Sequence, residues 1–348
     1  MNIDEKELTE TAAAMVADDK GLLAIDESNP TCNKRFAAPG IPQTAEVRRA
    51  YRELIVTTPG LGVAISGAIL YDETIQQRLA NGRSFPEALL EAGIVPGIKV
   101  DLGESPLAGF PAEQITEGLD GLRGRLEQYR QMGAPFAKWR GVLSIGDGLP
   151  TSTCIDANAH TLARYAAMCH EAGLCPVVEP EVLMDGDHSL ERCRAVSEQV
   201  IERVFHQLRA QRVRLEGMIL KPSMILPGLD CARQDTVAEV ADATVRSLLR
   251  SVPAAVPGVL FLSGGQPSVL ALERLNAMNL RHRERLPWAL GFSFSRAIQH
   301  PALELWRGDP ANSVVAQQAL LHRARCNRAA RRGEYVAAME SGTSRWPE

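Results

Sequence analysis

Lys221 closes the apolar run Gly217-Met218-Ile219-Leu220 and is followed by Pro222. An ammonium among apolar walls loses hydration, which favours the neutral amine and frees the nitrogen as a nucleophile toward a carbonyl. That is the chemistry of an imine-forming lysine, and a surface lysine at a strand end is the ordinary alternative for this stretch alone. Other ionisable residues occupy similar places. Asp26 follows Leu22-Leu23-Ala24-Ile25, and Lys99 lies in Gly97-Ile98-Lys99-Val100-Asp101. Lys138 and Arg140 are two apart in the run 136–143, as are Glu179 and Glu181 in the run 175–182. Residues two apart on a strand point to one face.

An amine that attacks a ketone forms an imine, which withdraws electrons from a neighbouring C–C bond. Like charge from Lys138 and Arg140 would push a nearby lysine further toward the neutral amine. Loss of water from the carbinolamine needs a proton donor, a role open to Glu179 or Glu181. Cleavage of a β-hydroxy ketone needs a base for the hydroxyl, a role for which Asp26 is a candidate. The turn Ser263-Gly264-Gly265 and the later Arg296 add an anion-binding signal. Glycines let backbone N–H groups approach an anion, and the helix expected from Pro267 onward contributes its positive end. Together the cations, the hydroxyl and the paired glycines point to an anionic ligand of the phosphate type.

The elements that must position these groups recur regularly. Short apolar, β-branched runs repeat at spacings of roughly 30 to 45 residues, with amphipathic stretches between them. The eight candidate strands are 22–25, 63–70, 97–101, 136–143, 175–182, the run ending at Lys221, 259–265 and 289–294. Helices are expected around 48–57 and over 157–172, 190–209, 235–249, 268–278 and 316–332. Strict alternation implies right-handed crossovers and a parallel sheet covered by helices, here an α/β chain closed into a (β/α)8 barrel. In that architecture the chemistry sits at the C-terminal strand ends, where these ionisable residues fall. An open doubly wound sheet is the rival, but Asp26-Glu27-Ser28-Asn29-Pro30 is no glycine-rich nucleotide turn. With no linker, repeat or low-complexity tract, residues 1–348 read as one domain with a mobile C-terminal tail from about 336.

Composition removes other classes. The 38 basic and 42 acidic side chains are well mixed, so neither a nucleic-acid arm nor an acidic tail is expected. The polar start is no secretory signal, and no apolar run approaches the ~18 residues of a spanning helix, so no membrane partner is expected. Seven cysteines without C-x-x-C spacing read as buried free thiols of a reducing cytoplasm rather than disulfides. The seven histidines form no ligand cluster, and Asp185-Gly186-Asp187-His188 reads as a polar loop, so no metal is expected. The arginine-rich stretch 316–332 reads as a basic amphipathic helix on the barrel wall.

Seven motifs run collinearly through the chain. They are Leu23-Ala24-Ile25-Asp26-Glu27-Ser28, Gly97-Ile98-Lys99-Val100-Asp101, Phe136-Ala137-Lys138-Trp139-Arg140, Val178-Glu179-Pro180-Glu181, Leu220-Lys221-Pro222-Ser223-Met224, Phe261-Leu262-Ser263-Gly264-Gly265-Gln266 and Phe292-Ser293-Phe294-Ser295-Arg296-Ala297. In these the chain resembles the class I, Schiff-base fructose-bisphosphate aldolases, and in the loop 28–32 it is similar to plastid and bacterial members. The resemblance implies a metal-free lyase of central carbon metabolism, glycolytic, gluconeogenic or of Calvin-cycle type. Such an enzyme reversibly cleaves fructose 1,6-bisphosphate to dihydroxyacetone phosphate and glyceraldehyde 3-phosphate, with no cofactor beyond the lysine imine. It further implies Lys221 as the Schiff-base lysine, Glu179 as acid and base for carbinolamine steps, Asp26 at the C4 hydroxyl and Lys138 beside the imine. Ser263, Gly264, Gly265, Ser293 and Arg296 would hold the C1 phosphate; Ser28, Thr31, Arg35 and Lys99 would lie toward the C6 phosphate, with Arg140 and Glu181 also facing substrate. A cytoplasmic homotetramer is expected.

Two departures bear on function. Phe294-Ser295 stands where the animal enzymes have Tyr-Gly, which narrows the backbone freedom at Ser295 while keeping its N–H. The sequence ends Ser344-Arg345-Trp346-Pro347-Glu348, without the terminal tyrosine that protonates the enamine in much of the family. The enamine's proton donor is thus unassigned, and a slower or differently gated protonation is expected. Two rival readings are a different lysine-imine aldolase or transaldolase and a non-catalytic scaffold. The paired cation clusters speak against the first and the presence of Lys221 and Glu179 against the second.

Overall fold

The computed structural model describes residues 5–340. Eight parallel strands close in the order β1-β10-β9-β8-β7-β6-β3-β2. They are β1 (Gly21–Ala24), β2 (Ile65–Leu70), β3 (Val95–Lys99), β6 (Phe136–Leu143), β7 (Cys175–Val182), β8 (Ile219–Leu220), β9 (Gly258–Phe261) and β10 (Ala289–Phe294). The remaining two, β4 (Glu104–Pro106) and β5 (Gln114–Thr116), form an antiparallel hairpin outside the barrel. This is the expected (β/α)8 barrel.

The strands are apolar on both faces because each face is covered. Leu22, Ile69, Phe136, Val177, Ile219 and Leu260 meet inside the barrel and are joined by Ala12 and Met15 of the helix Glu5–Met15. The Ser66 hydroxyl donates to the carbonyl of Met15 at 2.6 Å, fixing that helix across the lower mouth. Gly97 makes room for the Phe136 ring, since a Cβ there would stand 2.2 Å from the ring carbons. A second, larger apolar layer lies between the strands and the outer helices.

Turn chemistry sets where those helices begin. Thr151 accepts from the N–H of Cys154 at the start of Ser152–Ala172, and Ser189 accepts from Arg192 at the start of Leu190–Ala210. Thr236 and Glu239 form a reciprocal capping box at Val237–Ser251. The caps at Thr151 and Ser189 start the returning helices within eight residues of the ends of β6 and β7, whereas Thr236 follows a long loop after β8.

The helix Ser313–Arg332 packs on Ser268–His282 and Arg296–Trp306. Its basic face is less uniform than the sequence pattern implies. Arg323 is buried against Glu340 at 2.6 Å, and Arg331 is buried with a bond to the carbonyl of Val16 at 2.6 Å. Among the described residues no helix is long and apolar enough to cross a membrane. All seven cysteines are unpaired and six are buried. The tail expected to be mobile falls partly at 341–348, outside the described residues, whereas Glu340 also accepts from the Tyr335 hydroxyl at 2.8 Å.

Candidate active site

Lys221 is the first residue beyond β8. Its N–H still donates to Val178 at 2.8 Å, and Pro222, which has no N–H, ends the ladder there. The side chain is 4 % exposed and places Nζ 2.9 Å from Glu179 Oε1. Glu179 Oε2 lies 3.1 Å from Lys138 Nζ, and that nitrogen lies 2.7 Å from Asp26 Oδ2. The result is a buried chain of alternating charge: Asp26, Lys138, Glu179, Lys221. Isolated, each ion would cost several kcal/mol to bury, and alternation is what makes the cluster tolerable.

The electrostatics follow from that order. Burial raises the Asp26 carboxyl, but Lys138 and then Lys221 outweigh it and hold the group well below the usual carboxylate range. Glu179 behaves alike: burial opposes ionisation, yet Lys138 and Lys221 lower it on balance. Burial disfavours the Lys138 ammonium, but Asp26 and Glu179 more than compensate and lift it well above an ordinary lysine. Lys138 therefore stays charged. The like-charge influence on Lys221 expected from sequence is met by a carboxylate, Glu179, placed between it and Lys138. Arg140 is likewise drawn off, pairing with Glu181 and with Glu104 at 2.9 Å.

These groups line a cavity of about 820 Å³ at the C-terminal strand ends, together with every other catalytic or substrate-facing candidate from the sequence except Gly265. Gly264 and Gly265 take φ of 59° and 91°, the left-handed region that favours glycine. Gln266 donates to the carbonyl of Ser263 from both its backbone and its side chain, and Arg274 holds Gln266 at 2.7 Å. A Cβ on Gly265 would lie 3.1 Å from Arg296 Nη2, so Gly265 abuts the guanidinium instead of facing the cavity. Ser293 is 1 % exposed on the same wall. At the start of Asn29–Ala37, the Ser28 and Thr31 hydroxyls are 3.0 Å apart, and Asn29 anchors the turn to Glu73 at 2.9 Å. Lys99 is tied to Asp101 at 2.5 Å.

Strand-end reasoning missed several cavity residues. Lys34, Arg125, Tyr129 and Asp72 come from helices or turns, with Tyr129 donating to Asp72 at 2.7 Å. Lys34, one residue before Arg35, was readable as part of the same basic pair; the others carry no local signal. Most cavity cations arrive paired with carboxylates. Among the described residues neither Lys34 nor Arg296 has an ion-pair partner, which leaves positive charge for a ligand at the two places where phosphate was expected. No group of three His, Cys, Asp or Glu able to hold a metal ion occurs among the described residues.

Glu27 is the most heavily engaged of the missed groups. It binds Arg35, Arg52 at 2.6 Å, the Ser295 hydroxyl at 2.6 Å and the Gln299 amide at 2.9 Å. Burial pushes its carboxyl up, but Arg52 and Arg35 prevail and bring it down from 4.5 to about 2. A carboxyl depressed on folding stabilises the native state above its unfolded value, and that contribution is lost as pH falls from about 4.5 through about 2. The thermal midpoint is expected to fall less steeply over that window in Glu27→Gln than in the wild type; equal slopes would contradict this. Ser295 has φ −107°, outside the left-handed region that favours glycine.

The sequence profile described as fructose-bisphosphate aldolase class-I matches residues 7–346. A probable fructose-bisphosphate aldolase class 1 of Xylella fastidiosa (strain Temecula1 / ATCC 700964) is 54 % identical over 331 residues, 95 % of this chain and 98 % of that protein. The chloroplastic fructose-bisphosphate aldolase 3 of Arabidopsis thaliana is 48 % identical over 96 % of this chain and 85 % of its own length. Among solved structures, the fructose-bisphosphate aldolase of Plasmodium falciparum, in complex with TRAP and a small-molecule inhibitor, superposes with a TM-score of 0.94. It is 44 % identical, covering 95 % of this chain and 96 % of that one. A charge-alternating lysine site on a closed barrel and similarity along nearly the whole sequence converge: the chain belongs to the class I fructose-bisphosphate aldolase family.

Proposed function

We propose that this protein reversibly cleaves fructose 1,6-bisphosphate to dihydroxyacetone phosphate and glyceraldehyde 3-phosphate through an imine on Lys221. The observation that carries the reading is the buried series Asp26–Lys138–Glu179–Lys221, with contacts of 2.7, 3.1 and 2.9 Å. Glu179 is within hydrogen-bond reach of the Lys221 nitrogen, so it can take the ammonium proton and return one as the carbinolamine loses water. The resulting iminium draws electrons from the C3–C4 bond. Asp26, ionised and across Lys138 from that centre, accepts the C4 hydroxyl proton as the aldehyde departs. Its basicity is weak, so the driving force for cleavage comes from the iminium. Lys138, held charged, keeps both carboxylates ionised between these steps.

Arg296, Ser293 and the Ser263-Gly264-Gly265 turn would hold the C1 phosphate. Ser28, Thr31, Arg35 and Lys99 would face the C6 phosphate, with Arg140 and Glu181 toward the sugar. The imine supplies the electron sink, so the reaction is assigned no metal or other cofactor. The protein is read as a cytoplasmic homotetramer acting on phosphorylated sugars, without nucleic-acid or membrane partners. A coupled assay of the purified protein tests the reading: cleavage of fructose 1,6-bisphosphate is expected at a rate that prolonged dialysis against EDTA does not lower. A rate abolished by the chelator and restored by a divalent cation would sink it.

A further inference from the structure

Glu27 is one carboxylate with two guanidinium partners of different kinds. Arg52, its side chain 3 % exposed, is locked on Oε2. Arg35, 24 % exposed and lining the cavity, binds Oε1. The buried charge thus has a permanent counter-ion, and Arg35 is the partner that a ligand can compete for. Oε1 has other donors: the Ser295 hydroxyl at 2.6 Å and the Gln299 amide at 2.9 Å. Arg35 in turn reaches Ser295 Oγ at 3.3 Å. The Gln299 nitrogen has two hydrogens but three acceptors in reach, the others being the carbonyl of Ala24 at 2.5 Å and Ser295 Oγ at 3.1 Å. The amide is thus shared among competing acceptors, and the serine hydroxyl, at 2.6 Å, is the closer of the two donors that Oε1 keeps when Arg35 leaves.

We propose that Ser295 is a positioning residue for the C6 phosphate: its hydroxyl keeps Glu27 Oε1 hydrogen-bonded when Arg35 turns from that oxygen to the phosphate. This rests on the assignment of Arg35 to the C6 phosphate. A buried carboxylate oxygen stripped of a donor opposes the motion that strips it, and a donor already in place removes that opposition. Glycine at this position supplies no such donor. Glu27 stays ionised down to about pH 2, so it competes for Arg35 throughout the neutral range. Ser295 also stands at the start of Arg296–Trp306, where its carbonyl accepts from Ile298 and Gln299 at 3.0 Å, so the hydroxyl is carried by a fixed backbone.

The test compares the KM for fructose 1,6-bisphosphate with that for fructose 1-phosphate, which lacks the C6 phosphate. The wild type is measured beside Ser295→Ala, Ser295→Thr, Arg35→Ala and the Arg35→Ala/Ser295→Ala double variant. Ser295→Ala is expected to raise the ratio of the first KM to the second about three- to tenfold, the worth of one hydrogen bond. Ser295→Thr, which keeps the hydroxyl, should restore most of that change, and in the Arg35→Ala background the serine substitution should add nothing. An equal rise for both substrates, equal ratios in the alanine and threonine variants, or a serine effect that persists without Arg35 would overturn the proposal and leave the Arg35 assignment standing. If Arg35→Ala itself leaves the ratio where it was, the assignment of Arg35 is what fails, and the proposal with it.

Discussion

Lys221→Arg is expected to lower turnover of fructose 1,6-bisphosphate by about 10⁴-fold or more, the scale of removing a covalent nucleophile. Arginine is the informative choice because it keeps a positive charge beside Glu179, 2.9 Å from the present nitrogen. A neutral replacement would instead leave Glu179 and Asp26 with Lys138 as their one ammonium, and breaking a buried pair costs about 3–5 kcal/mol. Loss of activity would then be confounded with loss of fold. The arginine variant should melt within a few degrees of the wild type and still bind substrate, since the phosphate-facing cations are untouched. Catalysis alone disappears, because a guanidinium does not add to a ketone. Measurement of kcat beside a thermal melt decides it, and retention of more than about a hundredth of wild-type kcat would be incompatible with an imine on this residue.

Glu179→Gln is the second large effect, a fall of about 10²- to 10⁴-fold in kcat, the range for a positioned acid–base group. Its carboxylate bridges the two ammonium groups of Lys138 and Lys221. An amide of the same shape neither takes the proton leaving Lys221 nor returns one to the departing carbinolamine hydroxyl. The loss should fall on imine formation, so rapid-quench trapping of the covalent intermediate should slow as much as steady-state turnover does. If trapping were as fast as in the wild type while turnover fell, Glu179 would act later than proposed, and Glu181 or a water would be the dehydration acid.

How far sequence reached is seen in particular elements. β6, β7 and β10 coincide with their apolar runs because both faces of each strand are buried, so the run and the strand are the same residues. β8 is only Ile219–Leu220: Pro222 cannot continue the ladder, and the chain from Lys221 to the helix at Val237 runs as loop. The helix expected from 157 begins at Ser152, because Thr151 caps it before the apolar pattern starts. The hairpin β4–β5 was not legible, being short, polar and partly exposed, without alternation to announce it.

The site divides the same way. Asp26, Lys99, Lys138, Arg140, Glu179, Glu181 and Lys221 were legible because charge at the end of an apolar strand is anomalous on its own. Glu27 was not, since its partners Arg52, Ser295 and Gln299 lie 25 to 272 residues away along the chain. Nothing in the dipeptide Asp26-Glu27 separates a catalytic candidate from a residue that organises arginines. The closing seam between β1 and β10 brings Ser295 and Gln299 to Glu27, while Arg52 comes from the helix Ala45–Val56, and only three-dimensional closure reveals it.

The most direct measurement of the central claim is borohydride trapping. The protein is incubated with dihydroxyacetone phosphate, reduced, digested and mapped by mass spectrometry. The account predicts a stable reduced adduct on the peptide carrying Lys221 and its absence from Lys221→Arg. An unmodified Lys221, or an adduct carried by Lys138 or Lys99 instead, would contradict it.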